Sequence, residues 1–244
     1  MDRMIYIAMT GARQVMEQQA TASHNLANLN TNGFRAQMDS FRAVPVQGPS
    51  LPTRAFVLDA TTGADFSQGV VQQTGNALDV AVKGKGWIAM QAPDGGEVYT
   101  RNGALQVSDS GLLVGDHGMA VAGDAGPISV PVGGRVAVAP DGTVSTMDAR
   151  GVSTAVGRIR LVNPPESDLA RGDDGLFRTA NGQPADADAT VMLSPGSLEG
   201  SNVNAVEAMV GMIALGRSFE LQMSLLKNAE SNEAKASQIL SMNP

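Results

Sequence analysis

Residues 3 to 29 carry Ile5, Ala8, Ala12, Val15, Gln19, Ala22, Leu26 and Leu29, spaced alternately three and four apart. All but Gln19 are apolar, and that spacing is the seam of a coiled-coil-like helix contact. Asp2 is placed to cap the start of the helix. Asn30-Thr31-Asn32-Gly33 is placed to stop it, since Asn and Gly accept the left-handed conformation that ends helices. The other end of the chain repeats the design. Asn204-Ala205-Val206-Glu207 resembles a capping box with Asn as the cap. Val206, Met209, Met212, Leu215, Phe219, Met223 and Leu226 then recur three or four apart, and no proline interrupts residues 196 to 243.

The middle of the chain carries strand patterns instead. Leu78 to Val82 alternates, Gly86 to Met90 follows a Gly-rich turn, and Asp94-Gly95-Gly96 leads as a hairpin signal into Glu97 to Thr100. Turn signals recur at Asp109-Ser110-Gly111, Asp141-Gly142 and Asp173-Asp174-Gly175, with further strands at Val136 to Val138 and Arg158 to Val162. No long helical pattern interrupts them. The expected fold is α+β: terminal helices paired in a coiled-coil-like bundle around a central antiparallel β-rich domain, barrel- or sandwich-like. The expected divisions are an N-terminal helix over 1–35, an extended connector with Pro45, Pro49 and Pro52 over 36–77, the β-rich domain over 78–185, a return connector over 186–200 and a C-terminal helix over 201–244.

The first helix is poorly equipped to stand alone. Burying Ile5, Val15, Leu26, Leu29 and three alanine methyls gains about 8–14 kcal/mol at best. Ordering the backbone costs roughly 1–2 kcal/mol per residue before helix hydrogen bonds offset it. Pairing with residues 205 to 240 buries both seams, and packing against several neighbouring pairs buries more. The candidate self-assembly residues are therefore Ile5, Ala12, Val15, Asn25, Leu26, Asn28, Leu29, Val206, Met209, Met212, Leu215, Phe219 and Leu226. Asn25 and Asn28 lie off the Leu26–Leu29 seam. Their amides either fix register between subunits or simply belong to a solvated helix end.

Composition removes several functions. A net charge of −7 without any basic block argues against nucleic acid. The absence of cysteine excludes disulfides, thiolate nucleophiles and Cys zinc sites. The apolar run from Met4 to Met9 is too short for a cleavable signal, and no stretch approaches a membrane span. His24 and His117 are the only histidines, without metal-site spacing, and no nucleophile elbow is present. Lys83-Gly84-Lys85-Gly86 leads into a strand and is not a dinucleotide loop. Asp173-Asp174 and Asp186 with Asp188 read as solvated turns, and Asp79 as a hydrogen-bonded structural carboxylate. Met209, Met212 and Met223 supply adaptable packing. No catalytic residue, metal or cofactor is expected.

The start MDRMIYIAMTGARQ followed by SHNLANLNTNGFRAQ resembles the rod, hook and hook-associated axial proteins of bacterial flagella. Ser23, Asn25, Leu26, Ala27, Asn28, Asn30, Thr31, Gly33 and Phe34 match the motif that ends that family's N-terminal helix, with His24 where Asn is common. LDVAVKGKGWIAMQ with YTRNG, and SNVNAVEAMVGMIALGRSFELQMSLLKNAE, are similar to its middle domain and its C-terminal helix. The resemblance implies a non-catalytic structural subunit of the proximal rod, or alternatively of the distal rod. It implies partners that are copies of the chain and other rod proteins, and export through the flagellar type III apparatus without a cleaved signal. No nucleic acid, membrane span or small-molecule substrate is expected. Two readings outside the family are a soluble β-rich binding module with a helical stalk and a carbohydrate or peptidoglycan enzyme using paired carboxylates.

Overall fold

The computed structural model describes residues 2–45, 55–131, 134–148 and 151–241. The chain divides into two compact units, one made of residues 1–27, 37–63 and 204–244, the other of residues 28–36 and 64–203.

The first unit is helical. Helix α1 (Asp2–Ala27) packs along α2 (Ala205–Ser241). Gly11 lies beside Gln222, so close that an added Cβ would stand 3.1 Å from the glutamine amide. Ser23 Oγ donates to Met212 Sδ at 3.5 Å. Residue 11 meets 222 while 23 meets 212, so the helices run antiparallel. Among the described side chains of α1, Ala8, Ala12 and Val15 are buried, and the small alanines allow this close approach. Asn204 caps α2, its Oδ1 accepting from Val206 N at 3.1 Å and from Glu207 N at 3.4 Å. A two-stranded sheet of Gln37–Pro45 and Ala55–Ala64 completes the unit, in the stretch read from sequence as extended.

Helix α1 ends at Ala27, two residues short of the predicted end. The expected stop at Asn30 to Gly33 is a turn that belongs to the second unit. Gly33 does have a positive φ of 69°, but its amide donates to Glu199 O at 2.7 Å and closes no helix end.

The second unit is β-rich and antiparallel. Its largest sheet has nine described strands. Seven run in the order Leu169–Arg171, Phe177–Thr179, Glu97–Thr100, Trp87–Gln91, Ala120–Gly123, Leu113–Val114, Gln106–Val107. Leu161–Val162 also pairs with Trp87–Gln91, and Gly126–Pro127 with Ala120–Gly123. Each of the four turn signals read from sequence joins an antiparallel pair; at the first, Gly95 takes a φ of 84° between Trp87–Gln91 and Glu97–Thr100. Arg135–Val138, Thr143–Met147 and Ser153–Arg158 form a separate three-stranded sheet. No barrel closes among the described residues. The large sheet is covered on both faces. Ile88 and Met90 enter the main aliphatic core with Val98, Leu113, Val121 and Leu161. Trp87 and Ala89, one residue out of phase, enter a second core with Tyr99, Val162 and Phe177. There the Trp87 and Phe177 rings stand 4.6 Å apart.

Late segments of the chain close this unit against early ones. Met192–Pro195 pairs with Val80–Lys83, and Ser197–Glu199 pairs with Val71–Gln73.

Candidate functional site

Helix α2 has apolar residues on two faces. The face toward α1 carries Met212, Leu215, Phe219 and Leu226, all half-buried, and ends at the buried Ala229. Val206, Met209, Val210 and Ile213, at positions i, i+3, i+4 and i+7, form a second stripe. These four are 71, 50, 61 and 59% exposed. The periodicity of the sequence places Val206 and Met209 on one seam with Met212 and Leu215; the folded helical unit separates them. On α1, Ala12 and Val15 are buried against α2, and Ile5 and Leu26 are half-buried. Tyr6, Ile7, Met9 and Met16 form its exposed apolar set.

The end of α1 is shaped by amides. Asn25 Nδ2 donates to Gln37 O at 2.9 Å, and Gln37 N donates to Asn25 Oδ1 at 2.8 Å. This side chain thus pairs like a strand backbone and fixes where Gln37–Pro45 begins. Thr21 Oγ1 supports the same strand by donating to Asp39 Oδ1 at 2.8 Å. In the second unit, half-buried Asn28 and Leu29 open the turn. Asn28 O accepts from Thr31 N at 3.2 Å, and its Oδ1 accepts from Thr31 Oγ1 at 3.2 Å.

The turn from 28 to 36 is joined to residues 199 to 202. Ala36 N donates to Asn202 Oδ1 at 2.7 Å, and Asn202 Nδ2 donates to Asp65 O at 2.9 Å. Beneath the turn lies a buried ion triad. Glu199 Oε1 is 2.7 Å from Arg35 Nη2, and Glu199 Oε2 is 3.1 Å from Arg101 Nη1. The three side chains are at most 5% exposed. Gly69 N adds a third donor to the carboxylate at 3.0 Å, and Arg101 Nη2 donates to Gly84 O at 2.7 Å. The Arg101 guanidinium lies over the Trp87 ring, 5.3 Å from its centroid. Burial, helped by the neighbouring Arg35 charge, pushes the Arg101 pKa down, against the pull of Glu199. Arg171 pins the turn from outside, donating from Nη1 to Arg35 O at 3.0 Å and stacking 4.6 Å over Phe34. Sequence reasoning did not single out Arg35, Arg101, Glu199 or Asn202. The available signal was position: Arg35 is a charged residue inside the N-terminal motif, and Glu199 stands two residues before the C-terminal one.

The remaining polar groups are structural. Asp79 accepts from Thr74 Oγ1 at 2.6 Å and from Asn76 Nδ2 at 3.0 Å. Asp174 accepts from both terminal nitrogens of Arg178, at 3.0 and 2.6 Å, and that pairing holds its carboxyl below the usual range. Burial pushes the Tyr99 phenol up, and its oxygen accepts from Ala185 N at 2.7 Å. Among the described residues no group of three His, Asp or Glu is placed to hold a metal ion, and no helix is long and apolar enough to cross a membrane.

The helical unit is built from the first and last segments of the chain, and the β-rich unit is closed by late segments on early ones. Family models match along the chain: flagella basal body rod protein over residues 5–35, flagellar hook protein FlgE/F/G D1 domain over 81–146, and flagellar basal body rod FlgEFG protein C-terminal over 194–239. The flagellar basal-body rod protein FlgF of Escherichia coli strain K12 is 47% identical, covering 99% of this chain and 100% of the relative. FlgF of Salmonella typhimurium strain LT2 is 46% identical over the same shares, and FlgF of Caulobacter vibrioides is 32% identical over 93% of this chain and 94% of the relative. The chain belongs to the flagellar basal-body rod protein family. It is a structural protein and not an enzyme.

Proposed function

We propose that this chain is a subunit of the proximal rod that assembles through its terminal helices with copies of itself and with other rod proteins. In the assembled rod its helices pack side by side in a coiled-coil-like bundle and pass torque along the axis. The chain reaches the periplasmic rod through the flagellar type III apparatus, without a cleaved signal. Likeness to FlgF proteins over the whole chain supports the rod assignment.

The observation that carries self-assembly is the uncovered stripe Val206, Met209, Val210 and Ile213 on α2. Covering these side chains, each half-exposed or more, gains about 1–2 kcal/mol each, or roughly 4–8 together. Association of two bodies costs about 4–15 kcal/mol. One such contact is therefore marginal, whereas a subunit flanked by several neighbours gains enough. The assembly is stable and the free chain stays monomeric.

Ile213→Asp tests this reading. Its site is exposed, so the monomer is expected to keep its thermal unfolding transition while rod assembly and swimming fall to background. Normal motility and intact rods in that variant would refute assembly through this face.

A further inference from the structure

The Arg35–Glu199–Arg101 triad links three segments that are far apart in sequence. Arg35 follows α1, Arg101 follows the strand Glu97–Thr100, and Glu199 ends the strand Ser197–Glu199. Both arginines come from the first half of the chain and are buried, and Glu199 is the one carboxylate paired with them among the described residues. Gly69 N and Gly33 N also bond to this residue, to its side chain and its backbone oxygen respectively. The packing leaves no slack: a Cβ on Gly69 would stand 2.1 Å from Gly200 O, and one on Gly33 would stand 2.2 Å from Asn102 N.

We propose that this triad is a folding-order latch: the segments around residues 35, 69 and 101 close in one step, and only when Glu199 arrives. The physical reason is the cost of burying charge. Two guanidinium groups at most 5% exposed are tolerable with a shared carboxylate and strongly unfavourable without one. Until residue 199 is in place, Arg35 and Arg101 must stay hydrated, and their segments must stay open. The strands Trp87–Gln91 and Glu97–Thr100 contribute no member to the triad and close without waiting. The latch acts in the free monomer, so it stands or falls separately from assembly.

Hydrogen exchange on the full-length protein, read by mass spectrometry, tests the latch in two ways. In Glu199→Gln, residues 33–36, 69–73, 101–104 and 197–200 are expected to open together. Their exchange should quicken on the order of 1,000-fold, while Trp87–Gln91 and Glu97–Thr100 keep their protection. Loss confined to 197–200 would overturn the proposal. Pulse labelling during refolding of the unaltered protein supplies an independent reading should the variant not fold. Residues 33–36 and 101–104 are expected to gain protection in the same phase as 197–200 and after 87–91. Protection of 33–36 and 101–104 in an earlier phase than 197–200 would equally overturn it. The triple variant Arg35→Met, Arg101→Leu, Glu199→Met removes the charges as a set. It is expected to fold and to protect 101–104 earlier in refolding than the unaltered chain does; unchanged order in that variant would count against the latch.

Discussion

Gly33 shows how narrowly single positions are constrained. Its φ is 69°, and the Asn102 backbone nitrogen lies 2.2 Å from where a Cβ would stand. Only a residue without a side chain fits between the turn and the backbone it crosses. Gly33→Ala is expected to destabilise the β-rich unit by at least about 2 kcal/mol, because left-handed strain and a backbone clash add. Urea unfolding followed by Trp87 fluorescence would check it, and an unchanged midpoint would show that the turn relaxes freely. The position was legible in sequence as a turn glycine, but its reason was not. Sequence suggested a helix stop, whereas the constraint comes from Arg101 and Asn102, which are near only after folding. Asn25 is similar: its amide meets the backbone of Gln37, a partner that no helical periodicity identifies.

At the scale of elements, the start of α2 was read more surely than its faces. Asn204 was visible as a cap because capping is a local interaction, made with amides two and three residues on. Asn204→Ala is expected to cost about 1 kcal/mol and to raise exchange in the first turn of α2, without altering Leu226 or Ala229 further along. Exchange rates at Val206 and Glu207 that do not change would show that the cap contributes nothing. The packed face of α2 was less legible. The helix carries apolar residues all round much of its first half, so several stripes satisfy the same spacing. Antiparallel contact with α1 selects Met212, Leu215 and Phe219, leaving Val206 and Met209 exposed. The strand Trp87–Gln91 poses the same problem, because a strand covered on both faces shows no apolar–polar alternation.

For the whole molecule, the two units predict different responses to assembly. The β-rich unit carries its own double-sided core and its own latch, and should be equally protected in the free chain and in the rod. The helical unit keeps an uncovered apolar stripe and should gain protection when neighbours cover it. Hydrogen exchange in the purified chain and again in isolated basal bodies is expected to slow over Asp2–Ala27 and Ala205–Ser241, with little change over Trp87–Gln91. Equal protection of both helices in the dilute monomer and in basal bodies would favour a self-contained helical stalk.

The amino-acid order alone determined the features that depend on near neighbours: two helical ends, the Asn204 cap of α2, the four hairpin turns and the terminal motifs that mark the family. These follow from residue spacing and local backbone preference, so they are written wherever the residues stand. Tertiary structure alone decided which stripe of α2 meets α1, and that Arg35 and Arg101 share the one buried carboxylate of Glu199. Each of those outcomes depends on groups brought together from distant parts of the chain. Burial then sets their energy: a charge harmless on an open segment becomes costly in the interior unless its one partner is present.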